Sequence, residues 1–515
     1  IQYPPGLPAV VAAEELVLRT SNPAVIGIWL RRSWFVLSLL YVLFAFRLGR
    51  LFLSRRYALL LSGACLLNYE MYFVSTLNFA ELPFAVSSTI FGYFYLRKAR
   101  GWPTNIFVPL SAVVSYLLRS IGIALLAAWI ADAALRRRYR QAAIRTAVAL
   151  IPVISWQYYI HSVESGHRYQ HPYYAYQRDP SMFYNVSYAT NISLKSPFQP
   201  EKGLATKRDL LVRFVTNFIM MPRSLGEAIS AKEGFWKGHL TRINRFIYPF
   251  VIPSWSIQVA LSCLGLIVLA GMGWQLWHRE WFISIYLSVT IAAVCMTTWR
   301  DQFPRYLAPA EPFLLLVFLV ILLNVKSSFS SSSRRSHRFI SAVAGSFALF
   351  VLCESALSCF VGYRNFRYRA VYVDKDGVNR GYTLFHYPEE SSASEMGLKW
   401  LVTHVDPRAI VAVSMPQWVY LKTGLKTVMP PLEPDPVKAQ KLIDTVPATY
   451  AALDELLMED DFNKRFPALV RSSPDKWRLV YLSPHGEFDI YQRIGLSSTA
   501  NSPLLEGRRT GSLRF

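Results

Sequence analysis

The chain has 515 residues, 53% of them hydrophobic and 15% aromatic, and a formal net charge of +22. Its mean hydropathy of +0.24 is too high for an ordinary soluble multidomain protein. From Arg364 onward, 20 Lys and Arg face 18 Asp and Glu, a net +2. The remaining +20 lies between apolar segments, which excludes nucleic acid as the reason for the charge.

The chain opens on the turn Tyr3-Pro4-Pro5-Gly6. Apolar segments follow at 34–46, 57–74, 82–96, 106–118, 121–135 and 142–160, and longer ones at 249–274, 282–299, 308–325 and 339–361. Runs of about 18 or more apolar residues are long enough to cross hydrocarbon. Hydropathy therefore predicts about ten crossings, with the shorter pieces open to a re-entrant reading. Basic clusters stand in every second loop: Arg47 to Arg56, Arg97 to Arg100, Arg136 to Arg145, Arg279, and Lys326 to Arg338. That alternation places these loops on the cytoplasmic side and both ends of the chain opposite. Arg31 and Arg32, just before the first apolar segment, run against it.

Residues 1–362 thus read as a transmembrane region, interrupted at 161–248 by a hydrophilic loop on the outer side. The loop begins with Tyr169, Tyr173, Tyr174, Tyr176, Tyr184 and Tyr188, suited to stacking on sugar faces or to an interfacial aromatic belt. Its segment 209–230 predicts a helix along the interface. Residues 363–494 predict an extracytoplasmic α/β domain: a helix over 394–404, a strand over 409–413, a helical turn in PQWVYLKTG, a strand in KTVMPP, and a hairpin from 477–482 and 488–492. The Ser-, Gly- and Arg-rich tail, 495–515, reads as disordered. None of the five cysteines falls in the hydrophilic C-terminal region, and no zinc spacing, P-loop or HExxH occurs.

Polar residues at the outer ends of the spans are the candidates for chemistry, because charge near hydrocarbon is costly. Glu81, in STLNFAELPF, stands at the mouth of a crossing; it either serves a reaction or caps the helix N-terminus. Arg119, in YLLRSIG, either meets a substrate or snorkels to headgroups. Arg300 and Arg305 lie in TTWRDQFPRYLAPAEP beside Asp301, where pairing or headgroup contact is the plainer account. Together these groups match what an enzyme moving a sugar off a lipid phosphate needs. Guanidinium groups stabilise the departing phosphate, and a carboxylate takes the proton of a weak hydroxyl nucleophile. Glu70, inside a predicted span, fits structural pairing equally well.

Four stretches, YPPGLP, AELPF, RSIG and RYLAPAEPF, occur in the order found in a known group. The chain resembles the polyprenyl-phosphate-sugar-dependent glycosyltransferases of the GT-C superfamily, which holds the protein O-mannosyltransferases and the lipid A aminoarabinose transferases. The resemblance implies an α-helical polytopic membrane bundle with an extracytoplasmic α/β domain. The implied activity is an inverting hexosyl or pentosyl transfer from a polyprenyl-phosphate-linked sugar to an acceptor glycan, lipid or protein. It requires no cofactor, although some members use a divalent metal. The implied location is the plasma or inner membrane, among membrane lipids. Glu81 would be an auxiliary base or position the acceptor; Arg119, Arg300 and Arg305 would contact the donor phosphate; Tyr3 and Pro4 would border the acceptor cleft. In that family a membrane helix and the main catalytic acid precede the Pro-Pro turn. Both are therefore expected upstream of Ile1, and the chain is expected to be a fragment lacking them. The competing reading is a transporter or flippase of lipid-linked sugars, which internal repeats and midplane charges would favour. A sequence repeat is not evident.

Overall fold

The computed structural model describes residues 4–97, 101–179, 188–247, 251–328, 345–346, 349, 352–361, 364, 367–373, 379–385, 389–454, 460–483 and 488–495. Ile1 and Tyr3, most of the Ser/Arg-rich loop, Tyr184 and the tail from residue 496 lie outside them. The expectation of a catalytic acid upstream of Ile1, and the placing of Tyr3 beside an acceptor cleft, therefore fall outside the described residues. The chain forms two units: a helical one from residues up to Glu164 and from Thr206–Asn365, and a second from Ser165–Ala205 and Phe366–Phe515.

The helical unit begins with α1 (Gly6–Leu18), followed by α2 (Pro23–Gly49), which takes in Arg31 and Arg32 as well as the first apolar segment. Next come α3 (Arg55–Leu67) and α4 (Tyr69–Thr76), one apolar segment broken by a 47° bend. The bend has a side-chain cause: Asn68 accepts from the Met71 N–H at 3.0 Å, capping α4, and donates to the Ala228 carbonyl at 2.9 Å. Then follow α5 (Glu81–Leu96), α6 (Trp102–Leu118), α7 (Ile123–Leu135) and α8 (Tyr139–Glu164). After the second unit's insert come α11 (Lys207–Ile229), α12 (Glu233–Phe246), α13 (Trp255–Trp277), α14 (Trp281–Cys295), the short α15 (Phe303–Leu307), α16 (Glu311–Ser328) and α17 (Leu352–Val361). The insert itself carries α9 (His167–Gln170) and α10 (Tyr188–Ser193).

Where the residues are described, the apolar segments become helices as expected, but fewer reach membrane-crossing dimensions. Among the described residues three helices are long and apolar enough to span, or four if α3 and α4 form one broken span. The apolar helices of 10–17 residues measure only about 15–26 Å at ~1.5 Å per residue, short of a ~30 Å hydrocarbon core. In α14, nine of its 15 residues are buried, so its apolarity reflects packing inside protein. The core helix is α16, buried on every side from Glu311 to Val320, as an all-round apolar helix must be. Outer helices turn Phe35, Leu39, Leu43, Trp255 and Leu266 outward, the side-chain distribution of a bundle solvated by lipid.

Two contacts fix the frame. Between α11 and α13 the backbones touch: a Cβ on Gly226 would lie 2.0 Å from the Leu261 carbonyl oxygen, and one on Gly265 1.8 Å from that of Pro222. At the basic ends, the buried Asp132 of α7 accepts from the Tyr95 hydroxyl and pairs with Arg136 at 3.0 Å. Arg145 of α8 donates to Tyr95 at 2.9 Å and to the Trp129 carbonyl at 2.6 Å, so three helices share one polar knot.

In the second unit, a five-stranded sheet runs in the order β4-β3-β5-β7-β6. Its strands are β3 (Ile410–Val413), β4 (Lys426–Val428), β5 (Tyr450–Asp454), β6 (Trp477–Tyr481) and β7 (Phe488–Arg493). β3 pairs parallel with β4 and β5, whereas β7 pairs antiparallel with β5 and β6. The edges are β4, three residues long, and β6, whose register breaks between Leu479 and Tyr481. A separate antiparallel hairpin joins β1 (Arg367–Val373) and β2 (Asn379–Phe385).

Side chains alternate across the sheet with period two. Val411, Val413 and Ala452 pack under α18 (Glu389–His404) and α19 (Pro416–Thr423). Ala412, Ala451 and Leu453 pack under α20 (Pro436–Ile443) and α21 (Asp460–Arg471). Tyr176 joins this second core, fully buried, with Tyr174 at 4.7 Å between ring centres. It is therefore a core residue, neither belt nor sugar platform.

At the sheet's margin Asp444 accepts from Lys476 at 2.7 Å and contacts Arg493. Burial opposes its charge, but hydrogen bonds from Lys476 and Gln440 and the nearby cations outweigh that and hold its carboxyl below the ordinary Asp value. A depressed carboxyl contributes stability above the unfolded value and loses it as pH falls through the folded one. Amide exchange in β6 and β7 should therefore accelerate below about pH 4. In D444N that acid-dependent step should disappear.

Candidate functional site

Glu81 begins α5 and is 2% exposed. A buried carboxylate needs a partner, and two converge on it. Arg119 Nη1 lies 2.5 Å, and Arg305 Nε 2.9 Å, from the same oxygen, Oε1. The three residues come from three chain segments, at positions 81, 119 and 305.

Local structure aims each cation. α6 ends where Arg119 turns extended, at φ −148° and ψ 136°. The chain then folds back through the 3₁₀ turn Ser120–Gly122, whose last N–H donates to the Arg119 carbonyl at 2.8 Å. Gly122 is required there, because a Cβ would lie 2.6 Å from the Ser115 carbonyl. Arg305 rides on α15, set between 3₁₀ turns at Arg300–Gln302 and Ala308–Ala310. Pro304 and Pro309 sit at the starts of α15 and of the second 3₁₀ turn, within a run that continues into α16 as one helical span, Arg300–Asn324. Arg305 also lies over the Phe79 ring at 4.5 Å, and Arg119 near Tyr306 at 6.0 Å.

The group carries two positive charges and one negative, with both guanidiniums partly open: their side chains are 19% and 27% exposed. Pro4 is buried, and α1 starts against the end of α6: a Cβ on Gly6 would lie 2.6 Å from the Leu117 carbonyl. The turn that holds Pro4 is thus adjacent in space to the Arg119 corner.

Arg300 does not join the pair on Glu81. Its Nε donates at 2.8 Å to Asn217 Oδ1, and Asn217, fully buried on α11, donates to the carbonyls of Cys295 and Thr297. Arg300 lines a separate cavity of about 460 Å³ with Asp301 and Pro304. Its far wall is the polar break between α11 and α12. There Glu233 is held by Arg223, by Lys237 at 2.7 Å and by Gln258 at 3.1 Å, and Glu227 accepts the Glu233 N–H at 3.0 Å. Beside it, Glu70 of α4 pairs with Lys232, in the break before α12, at 2.9 Å.

These wall residues are absent from the sequence-based candidates. The available signal is the segment LGEAISAKEGFWK, in which Glu227, Lys232 and the i,i+4 pair Glu233–Lys237 break up an apolar run. Glu311 is a second omission. It follows three small residues in RYLAPAEPF, is 1% exposed, and accepts from the Tyr41 hydroxyl at 3.3 Å. Among the described residues no group of three or more His, Cys, Asp or Glu is placed to hold a metal ion.

No family model matches the sequence, and no curated protein matches it either. Solved structures do. The oligosaccharyltransferase AglB from Archaeoglobus fulgidus, in complex with an inhibitory peptide and a dolichol-phosphate, superposes with a TM-score of 0.50 at 12% identity, over 97% of this chain and 67% of that one. An Archaeoglobus fulgidus oligosaccharyltransferase in its apo form gives 0.51 at 12% identity, over 97% of this chain and 67% of that one. ArnT from Cupriavidus metallidurans in the apo state aligns at only 0.38, with 13% identity, over 95% and 87%. At such identities the likeness to the archaeal structures is one of fold, and this chain spans about two thirds of their length. What is shared with the archaeal structures is the fold, here a bundle of apolar helices with an α/β unit.

Proposed function

We propose that this chain is an integral membrane glycosyltransferase that moves one sugar from a polyprenyl-phosphate donor to a hydroxyl of an acceptor glycan, lipid or protein on the extracytoplasmic side. The observation that carries the reading is the pair Arg119 and Arg305 on one oxygen of the buried Glu81. The fold shared with an archaeal oligosaccharyltransferase supports it. That neighbour's structure holds a dolichol-phosphate, and a second one carries a tethered acceptor peptide.

In the proposed reaction the acceptor oxygen attacks the anomeric carbon from the face opposite the phosphate, inverting it. The carbon–oxygen bond to phosphate breaks, and the phosphate leaves with the electron pair. Arg119 and Arg305 face the charge that grows on it; positive charge already fixed in place needs no rearrangement during the step. The reading assigns that charge to guanidiniums and calls for no cofactor. Glu81 acts by position. Protonating it would leave two guanidiniums facing one another, so it orients them while another carboxylate takes the acceptor's proton. Both sugar size, hexose or pentose, and placement in the plasma or inner membrane belong to the same proposal.

The test is transfer of radiolabelled sugar from a synthetic polyprenyl-phosphate donor by the full-length protein in vesicles. Release of free polyprenyl phosphate in step with labelled acceptor is the expected result. Movement of intact lipid-linked sugar between leaflets, with the donor bond never broken, identifies a flippase instead.

A further inference from the structure

The cavity lined by Arg300 and the Glu81 site are served by neighbouring residues of one short segment. Pro304 lines the cavity, while Arg305, the next residue, grips Glu81. At about 460 Å³ the cavity falls within the ~300–1,000 Å³ range of small-molecule sites. Its lining combines apolar surface with charged side chains of both signs. Arg223, Lys232, Lys237 and Arg300 contribute four positive charges; Glu227, Glu233 and Asp301 contribute three negative ones. Lys232 is also matched by Glu70.

Such a balance suits some ligands and excludes others. A phosphate dianion entering would face three carboxylates as well as the cations. A hydroxyl group, which donates and accepts at once, finds both kinds of partner. Two of the acids are firmly placed: Glu227 and Glu233 have side chains only 9% and 7% exposed. Asn217 holds Arg300 by its Nε, which leaves the two Nη groups of the fork as the donors for a ligand.

We propose that this cavity is the subsite for the donor's sugar ring, with Arg300 and Glu227 reading its hydroxyls and Gln258 supporting the wall through Glu233. Arg300 then binds sugar, and the phosphate falls to Arg119 and Arg305. This inference rests on the transferase reading above and adds the residues that choose the sugar.

The experiment measures binding, with no turnover required. Full-length protein in lipid nanodiscs is titrated with farnesyl phosphate, and with farnesyl phosphate carrying a single mannose, glucose, galactose or arabinose. The wild type should bind at least one sugar-bearing lipid about tenfold or more tighter than the bare one, the size of preference that hydrogen bonds to sugar hydroxyls supply. R300Q should reduce that preference to about twofold or less while leaving bare farnesyl phosphate affinity intact, and R305A should weaken both lipids. Q258A, on an exposed side chain, should show a smaller loss of the same kind and guards against a folding defect in R300Q. If R300Q weakens both lipids equally, Arg300 holds phosphate and the sugar subsite is overturned alone. Equal affinity of R300Q and wild type for every lipid overturns it too. If the wild type binds no lipid in the series, the transferase reading and this subsite fall together.

Discussion

Replacing Arg305 with Ala should lower sugar transfer by about 10²–10³-fold, the cost of losing one preorganised donor to a developing anion. Membrane insertion and melting temperature should stay close to wild type, because Glu81 keeps Arg119 at 2.5 Å. Arg305→Lys should recover only part of the rate: it restores the charge without the planar fork that meets carboxylate and phosphate together. Glu81→Ala should behave differently. It leaves two partly buried guanidiniums without their shared counter-ion, so stability and turnover should fall together, in keeping with the roughly 3–5 kcal/mol seen when one partner of a buried pair is removed. Initial rates with the synthetic donor and thermal unfolding in detergent separate the two cases. Turnover of R305A equal to wild type would remove Arg305 from the site.

The largest structural effect is expected at the α11–α13 crossing. Gly265→Ala puts a methyl group 1.8 Å from the Pro222 carbonyl oxygen, and Gly226→Ala puts one 2.0 Å from that of Leu261. Both obstacles are backbone, so no rotamer change relieves them; a helix must move. Overpacking in well-packed interiors costs typically about 1–3 kcal/mol and occasionally more, and here the upper end applies. Each substitution should lower the detergent melting temperature, and the double substitution should abolish a monodisperse peak on size-exclusion chromatography. Gly273→Ala, on the same helix with open space around it, is the matched control and should be silent or slightly stabilising. If G265A melts with wild type, the two helices do not cross at these glycines.

The helical unit was legible because lipid-facing and buried positions are both apolar, so each segment announces itself by composition. Its limits came from the same fact. Hydropathy cannot separate a helix facing lipid from one such as α14 that is buried among its neighbours. Sequence alone groups Glu81 with Arg119 and Arg305 on chemical grounds, from residues 38 to 224 positions apart, and the structure brings the three side chains into contact. Arg300 was grouped with them because it lies five residues from Arg305, and the 3₁₀ turn then sends it to a different wall. In the second unit β5 passed unnoticed. Its sequence, YAALD, is rich in Ala and Leu and runs into ELLMED, a helix-forming composition. Pairing with β3 on one side and β7 on the other overrides that local preference. The partition of the outer loop was equally hidden: Tyr176 reads as surface aromatic until its burial under α20 and α21 is seen.

The edges of the five-stranded sheet bear on how the protein behaves when crowded in a bilayer with copies of itself. A strand edge left long and flat recruits matching strands from other chains. Here one margin offers only Lys426–Val428, and the other is kinked between Leu479 and Tyr481. Neither can dock a neighbour's backbone over any length, so high expression should produce dispersed molecules rather than clumps linked through this five-stranded sheet.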